Sequence, residues 1–171
     1  RNTYLLLGLE PDFDTWDPVA ARAALGKAEQ VVALSAWRSP SLEAVADVIL
    51  PIGEFAETAG TYVNAEGSWQ SFQGAVAAPG EARPAWKILR VLGNLLDLDG
   101  FGYNSARDIR EELRGICEGA APDNALRGEL VGTVTDSPEG SLQRIGDVPI
   151  HAADGLVRRA QALQKTKDAI E

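Results

Sequence analysis

The residues with the clearest chemical potential lie in a polar stretch that follows a short apolar run. Asp47 belongs to the sequence ADVILP at residues 46–51, and Glu54 and Glu57 follow this run. Glu54 and Glu57 could act as a general acid and a general base, although carboxylates in loops are more often simply solvated. The stretch continues with hydroxyls, amides, a further carboxylate and glycines, which suit ligand contacts or tight loop geometry: Thr58, Gly60, Thr61, Asn64, Glu66, Gly67 and Gln70.

Three other features could carry chemistry, and each has a plainer interpretation. His151 is the only histidine, and we interpret it as structural or solvent-facing because catalysis or metal binding needs partner residues. Cys117 follows an apolar position at the end of a predicted helix, which favours a buried or half-buried thiol over a reactive one. The pair Arg158 and Arg159 either grips an acidic partner or balances a negative chain.

Composition excludes several classes of function. The 171 residues carry a formal net charge of −9, which argues against nucleic acid as a partner because phosphate binding needs a basic face. A single cysteine excludes an internal disulfide framework and any cysteine-ligated cluster held by this chain alone. The usual glycine-rich phosphate loops are missing, and no apolar run approaches the roughly 18 residues that span a bilayer. We therefore predict no catalytic residue and no metal site, and we expect a soluble chain.

The order of the predicted elements indicates an α/β fold with a partial parallel sheet and flanking helices. Apolar runs at residues 4–9, 31–34 and 47–52 are typical of buried strands, and the first of them suggests a strand covered on both faces. Asp17 before Pro18 predicts the start of a helix over residues 19–28, and residues 41–46 can form about two helical turns. The third strand would deliver the polar stretch to the carboxyl edge of the sheet, where ligands bind in open α/β folds.

A β-hairpin and two amphipathic helices are predicted next. Segments 62–64 and 69–73 are β-prone and flank a glycine-containing turn. A helix should begin at Pro84, and Ser105 with Asp108 resembles a capping box for a second helix that ends near Gly119. We expect the first helix to turn these apolar residues to the core: Ala85, Trp86, Ile88, Leu89, Leu92, Leu95 and Leu96. The second helix should do the same with Ala106, Ile109, Leu113 and Ile116.

The last part of the chain predicts irregular structure. Residues 121–150 contain too many prolines and glycines for long elements, although 130–134 and 142–148 could be isolated extended pieces. A weak helical pattern begins at Asp154. We therefore predict an α/β domain at residues 1–120 and an irregular C-terminal extension at 121–171, which lies on a surface. Because the chain begins with Arg1 and lacks methionine, we expect a fragment of a longer protein whose sheet has further strands.

The polar stretch and the residues around it resemble a known family. ADVILP at residues 46–51, ETAGT at 57–61, NAEG at 64–67 and Gln70 are similar to the third-domain motif of molybdopterin oxidoreductases. The sequence GEARPAWKILRVLGNL at 80–95 narrows the resemblance to the C-terminal part of the large iron-sulfur subunits of bacterial NADH:quinone oxidoreductases, the respiratory complex I. RIGDVPI at 144–150 and VRRA at 157–160 agree, so the resemblance covers nearly the whole chain.

The resemblance implies a domain that keeps the fold of its family without the cofactor. Cofactor-binding relatives usually have Gly-x-Asn-Pro after the first strand, whereas GLEP occupies residues 8–11 here. SPSLE at 39–43 replaces a threonine-rich segment and places Glu43 near the expected site, where it would repel an anionic pterin. Ser68 replaces an arginine that relatives generally have, which weakens either cofactor binding or an internal salt bridge. The motif residues from Asp47 to Gln70 are then vestigial rather than cofactor-binding.

Two functional hypotheses follow. The first is a non-catalytic structural and assembly portion of the electron-input subunit of NADH:quinone oxidoreductase, inactive by itself. Its iron-sulfur clusters would be bound upstream in the full-length chain, and its partners would be the upstream domains and other peripheral-arm subunits, on the cytoplasmic side of the bacterial inner membrane. The alternative is a cofactor-binding fragment of a true molybdopterin oxidoreductase such as a formate dehydrogenase. A third option is an α/β domain whose loop is simply well packed.

Overall fold

The computed structural model describes residues 2–120 and 149–167. The chain divides into two compact units, Arg1–Asp123 and Asn124–Glu171, which are treated separately below. The first unit is a mixed α/β structure with a small parallel sheet, flanking helices and a hairpin, which confirms the predicted fold class. The extended pieces predicted at 130–134 and 142–148 lie outside the described residues.

Three parallel strands form the sheet, in the order β1-β2-β3. Each connection contains a helix, as the alternating sequence pattern predicts. Both helices begin with proline after a capping side chain, since Asp17 accepts a hydrogen bond from Ala20 N at 2.9 Å and Ser39 accepts one from Leu42 N at 3.4 Å. The elements are β1 (Thr3–Leu7), α1 (Pro18–Leu25), β2 (Gln30–Ser35), α2 (Pro40–Glu43) and β3 (Val48–Pro51).

Only the middle strand is thoroughly buried. Val31, Ala33 and Leu34 of β2 are at most 1% exposed. In contrast, Leu5 and Val48, on the two outer strands, are 48% and 43% exposed. The prediction that the first and third strands are buried, the first on both faces, is therefore wrong within this chain. The physical reason is that a three-stranded sheet has a single inner strand, so each outer strand lacks a neighbour on one edge.

The predicted hairpin is confirmed, although its first strand begins two residues earlier than expected. Strands β4 (Gly60–Val63) and β5 (Trp69–Phe72) pair antiparallel. The Tyr62 and Phe72 rings stack with their centroids 5.1 Å apart. Gly67 in the connecting turn has a φ of 79°, a conformation that residues with a Cβ rarely adopt. These contacts make the hairpin a small unit with its own local geometry.

Helices α3 (Ala85–Leu95) and α4 (Ala106–Ile116) follow the hairpin. A single parallel bridge between Ile52 and Arg83 attaches the start of α3 to the end of β3. The capping box of α4 is confirmed, because Ser105 Oγ accepts from Asp108 N at 3.2 Å and Asp108 Oδ2 accepts from Ser105 N at 2.9 Å. The capping geometry therefore follows from local sequence alone.

The apolar faces of both helices are less buried than their sequence patterns predict. Leu95 and Ile116 are 75% and 73% exposed, and Leu96 and Leu113 are also exposed. Gly93 is the buried residue of α3, because the Phe101 ring covers it. The expectation that the full apolar stripes face a core within this chain is wrong. An amphipathic pattern identifies the face that needs a partner but not where the partner is.

The described part of the second unit consists of short turns. Two 3₁₀ turns, Val157–Arg159 and Leu163–Lys165, replace the weak helix expected from Asp154. Asp154 Oδ1 accepts hydrogen bonds from Leu156 N and Val157 N, which holds the first turn. Gln164 Nε2 donates to the carbonyl oxygens of His151 and Val157, each at 3.0 Å. No helix within residues 2–120 and 149–167 is long and apolar enough to cross a membrane.

Candidate functional site

A cleft of about 550 Å³ lies beside the third strand and opens at the ends of β2 and β3. Alternate residues of the β3 region, Asp47, Ile49 and Pro51, form one wall. The other walls come from the segment that follows β2 and from α2. The cleft runs along β3, and the part lined by Pro51 and the segment after β2 lies at the carboxyl ends of the strands, where ligands bind in this class of fold. The remaining lining residues are Ser35, Ala36, Trp37, Arg38, Glu43 and Ala46.

The turn after β2 is held by a local network. Ser35 Oγ donates to the carbonyl oxygen of Trp37 at 2.8 Å and lies 3.1 Å from Trp37 N, whose proton it accepts. The indole Nε1 of Trp37 donates to Glu54 Oε1 at 2.6 Å. The turn of one strand is thus tied to the loop that follows the next one. Ser35 itself is buried, and its hydroxyl is hydrogen-bonded within the turn.

Glu54 and Glu57, the carboxylates considered as an acid and base pair, have structural partners instead. Glu57 Oε2 accepts a hydrogen bond from Glu54 N at 3.0 Å, as in a capping box, at the start of a 3₁₀ turn. Glu54 in turn accepts from the Trp37 indole. Neither residue lines the cleft. The two carboxylates therefore shape the loop after β3, and they are half-buried rather than fully solvated as loop carboxylates usually are.

Asp47 connects the second and third strands. Its Oδ2 accepts a hydrogen bond from Val31 N at 2.7 Å, and its own N–H donates to Val31 O at 2.9 Å. This reciprocal pair lies one residue before the first paired residues of β3, where Val48 is opposite Val32. A carboxylate that accepts from a backbone N–H forms one of the stronger protein hydrogen bonds. Asp47 therefore fixes the register of β3 against β2.

The charges at the cleft are few and mostly acidic. Arg38 forms a salt bridge with Glu43, in which Arg38 Nε donates to Glu43 Oε1 at 2.5 Å. Glu43 thus lies at the cleft, where the sequence placed it, but Arg38 offsets its charge. With Asp47 included, the charged lining within residues 2–120 comprises one cation and two carboxylates. This balance is unfavourable for an anionic ligand.

The other residues of the predicted motif lie in the hairpin and in the segment that precedes it, and they do not line the cleft. Asn64 Oδ1 accepts from Glu66 N at 3.1 Å and from Ser68 N at 2.9 Å, which closes the hairpin turn. The hydroxyls of Thr61 and Ser71 are 3.0 Å apart across the strands. Gln70 is exposed, and it is paired with Tyr62 in the strand register. Of the predicted site residues, only Asp47 lines the cleft.

Close packing explains one glycine of the motif. A Cβ at Gly60 would lie 2.5 Å from Phe72 Cζ, so the aromatic ring covers the backbone at this position. Thr58 Oγ1 donates to the carbonyl oxygen of Ala59 at 3.3 Å. Thr61 also lines a smaller groove of about 270 Å³, together with Trp69, Trp86 and other residues of the hairpin, α3 and α4. The motif residues thus mainly stabilise a loop and a hairpin.

Sequence reasoning missed the contribution of Trp37 and Arg38 to the cleft. Both follow the end of β2, and the rule that ligand sites gather at strand ends applies to this strand as well as to the third. Cys117 is exposed, so the prediction of a buried or half-buried thiol is wrong. Its helix ends at Ile116, whose side chain is itself exposed. Within residues 2–120 and 149–167, no cluster of His, Cys, Asp or Glu is arranged to hold a metal ion.

The clearest electrostatic effects belong to α4 rather than to the cleft. The hydrogen bond from the Ser105 hydroxyl, together with backbone N–H groups, lowers the pKa of Asp108. A hydrogen bond from Arg110 lowers the pKa of Glu111. The bond between the Tyr103 hydroxyl and Glu112, 2.8 Å long, raises the pKa of Tyr103. These groups stabilise α4 or the segment just before it, and none of them lines the cleft.

Comparisons with known proteins identify a family and several relatives. The sequence profile described as molybdopterin oxidoreductase matches residues 2–95, which is more than half of the chain. The chain is 32% identical over 126 residues to the NADH-ubiquinone oxidoreductase 75 kDa subunit of Reclinomonas americana, covering 71% of this chain and 18% of that protein.

Two further matches are shorter and concern two kinds of oxidoreductase subunit. The chain is 50% identical over 71 residues to the mitochondrial NADH-ubiquinone oxidoreductase 78 kDa subunit of Candida albicans, covering 42% of this chain and 10% of that subunit. It is 41% identical over 73 residues to the F420-dependent formate dehydrogenase subunit alpha of Methanocaldococcus jannaschii, covering 42% of this chain and 11% of that protein. The chain thus spans less than a fifth of the length of these curated relatives.

Proposed function

The chain belongs to the molybdopterin oxidoreductase family, and from this membership we propose that it is a structural, non-catalytic portion of the electron-input subunit of an NADH:quinone oxidoreductase. In this proposal the iron-sulfur clusters are bound elsewhere in the full-length subunit. The partners are the other domains of that subunit and neighbouring peripheral-arm subunits, on the cytoplasmic side of a bacterial inner membrane. The names of two relatives, both NADH-ubiquinone oxidoreductase subunits, support this assignment.

The observation that carries the proposal is that side chains of the family motif form hydrogen bonds with the backbone of their own domain. Asp47 binds the backbone of β2, Glu57 caps the loop after β3, and Asn64 closes the hairpin turn. Each of these three side chains is already paired with a neighbouring backbone N–H. Groups committed in this way have less capacity to bind a cofactor, because a new hydrogen bond would have to replace an existing one.

The charged side chains that line the cleft do not favour an anionic pyranopterin. Such a cofactor carries phosphate, which is held by arginine, lysine or a row of free backbone N–H groups. Among the described residues, Arg38 is the one cation that lines the cleft, and its guanidinium is already paired with Glu43. Asp47 adds a second carboxylate to the lining. We therefore assign no chemical step to the cleft.

The exposed apolar surface supports an assembly role. Leu5, Leu7 and Val48 are 43–52% exposed, and the strand register places them on one face of the sheet. Burying the exposed parts of three such side chains is favourable by about 2–4 kcal/mol. Large exposed apolar patches mark contacts with other protein surfaces. Because the chain spans a small share of its relatives, the rest of such a subunit is a ready source of the missing cover.

Metal and pterin analysis of the purified full-length protein tests the proposal. We expect iron, measured by mass spectrometry, with no molybdenum or tungsten above background. We also expect no pterin fluorescence after oxidative release of any cofactor. Stoichiometric metal and pterin in the same preparation would overturn the structural assignment.

A second candidate is a cofactor-binding fragment of a true molybdopterin oxidoreductase such as a formate dehydrogenase. It is favoured by the 41% identity to a formate dehydrogenase alpha subunit and by the position of the 550 Å³ cleft at the strand ends. This candidate requires the full-length protein to contain the pterin and to reduce a viologen dye with formate. The absence of both properties would exclude it, while leaving the structural role intact.

A further inference from the structure

An open apolar groove of about 430 Å³ lies between β3 and α3, separate from the cleft beside α2. Leu50 of β3 forms one wall. The other wall is a stripe on α3 with the spacing i, i+3, i+4 and i+7, which places the side chains on one helix face. Val91 and Leu95 in this stripe are 47% and 75% exposed. The stripe consists of Ile88, Val91, Leu92 and Leu95.

Three cations line the same groove: Arg83, Lys87 and Arg90. None of them forms an ion pair with a carboxylate among the residues that the structure describes. Arg83 donates to Ala82 O at 3.1 Å, Lys87 lies 5.5 Å from the Trp86 ring centroid, and Arg90 donates to Tyr103 O at 2.9 Å. Helix α3 itself contains no acidic residue. In a chain with a net charge of −9, this is a local concentration of positive charge.

We propose that this groove binds an amphipathic helix of a separate polypeptide, whose apolar stripe is flanked by aspartate or glutamate. A stripe with i, i+3, i+4 and i+7 spacing is the surface that another helix packs against. The three cations then meet the flanking carboxylates and fix the position and direction of the helix. The proposal deepens the assembly role and rests on it for the existence of a partner, but its recognition chemistry comes from α3, Arg83 and Leu50.

The observations favour this occupant over two others. A second copy of the chain placed symmetrically on the groove would bring Arg83, Lys87 and Arg90 close to the same three cations, and like charges at an interface are costly. An acyl chain of an anionic lipid would remain partly in water, because the groove is open and Val91 and Leu95 in its wall are exposed. A helix is wide enough to cover the groove and present carboxylates on both sides.

Titration of the 171-residue chain with a synthetic peptide tests the proposal. The probe is a helical peptide with leucine at i, i+3, i+4 and i+7 and glutamate at the flanking positions. The matched control peptide has lysine in place of each glutamate. Binding is measured by calorimetry and by the fluorescence of Trp86 and the other tryptophans, at low and high salt. We expect the acidic peptide to bind, with an affinity that falls as salt rises, and the lysine peptide to show no binding.

Charge reversal identifies the site. The double variant Arg83→Glu, Lys87→Glu should bind the acidic peptide roughly tenfold more weakly, since two exposed attractions become repulsions. Arg90 is left unchanged because it also holds Tyr103 O. The matched control is Arg107→Glu, Arg114→Glu on α4, which changes the net charge equally at exposed positions outside the groove. This control should weaken binding far less. Circular dichroism verifies that both variants are folded.

Several results would overturn the proposal. These are equal binding of the two peptides, equal effects of the two double variants, or no binding of the acidic peptide. It is also overturned if sedimentation shows a dimer that Arg83→Glu, Lys87→Glu dissociates. Binding to phosphatidylcholine–phosphatidylglycerol vesicles through the same two residues, with no peptide binding, would assign the groove to lipid instead. Molybdenum and pterin in the full-length protein would refute the proposed structural role, but they would not change the results of the peptide titrations. The structural role and the peptide-binding groove are therefore tested independently.

Discussion

Replacing Asp47 with alanine tests whether the family motif now serves the fold. The Asp47 carboxylate accepts the Val31 N–H at 2.7 Å, and Val31 is 1% exposed. In Asp47→Ala this buried donor loses its acceptor, whereas the reverse bond from residue 47 N to Val31 O can remain. We therefore expect a loss of stability that requires no cofactor to be present.

The magnitude follows from the geometry. A buried N–H left without a partner costs about 1–3 kcal/mol, and the bond lost here is charge-assisted, so we expect Asp47→Ala to lower the free energy of unfolding by about 2 kcal/mol. For a chain of this size the midpoint of thermal unfolding should fall by roughly 4–8 °C. Asp47→Asn keeps an acceptor oxygen and should cost about 1 kcal/mol or less.

Urea unfolding followed by tryptophan fluorescence measures these differences. Glu66→Ala is the matched control, because it removes a carboxylate of the same motif from an exposed turn position and should change stability by less than about 0.5 kcal/mol. The reasoning is refuted if Asp47→Ala and Glu66→Ala are equally stable in the cofactor-free chain. It is also refuted if Asp47→Asn is as destabilising as Asp47→Ala, since the loss would then not depend on the acceptor.

Two further predictions concern the hairpin and α4. Gly60→Ala forces the Phe72 ring to move, because a Cβ would lie 2.5 Å from its Cζ. The free energy of unfolding, measured in urea, should fall by about 1–3 kcal/mol. Gly102→Ala is the control and should lower it much less, because a Cβ at Gly102 meets open space. Equal costs would contradict the packing explanation. The hydrogen bond from Ser105 lowers the pKa of Asp108 in the folded protein. The ionised Asp108 therefore stabilises the fold above the ordinary aspartate pKa of about 3.9, and this stabilisation is lost as the pH falls through the folded pKa. Asp108→Asn should therefore reduce stability at pH 7, with a difference that disappears in acid; a difference independent of pH would count against this role.

Local chemistry explains which features were predictable from sequence. The helix start at Asp17 and Pro18, the capping box at Ser105 and the glycine turn of the hairpin all depend on neighbours within a few residues, and all are confirmed. The two turns predicted at 41–46 are instead a four-residue helix, Pro40–Glu43, whose cap at Ser39 was not predicted. The parallel order of the sheet also follows from alternating strands and helices. Two residues singled out from the sequence line the cleft: Asp47, from the motif, and Glu43, which the family resemblance placed near the expected site.

The partner of each polar group could not be predicted. Asp47 belongs to a motif that suggested a ligand, but its carboxylate meets the backbone of Val31, 16 residues earlier in the chain. Trp37 and Glu54 are 17 residues apart and meet only because β2 and β3 end at the same edge of the sheet. Such pairs depend on tertiary packing, which no local pattern encodes.

By itself, the sequence determined the main strands and helices of residues 2–120, several of their caps and the family of this protein, because these depend on short-range periodicity and on residue identity. Only the tertiary structure decided which apolar faces are covered and which polar groups are already paired. Leu95 and Ile116 satisfy an amphipathic pattern but remain exposed, while Leu34 is fully buried on the single inner strand. The physical reason is that burial depends on the neighbours that surround a residue in space, and periodicity specifies only the direction in which a side chain points.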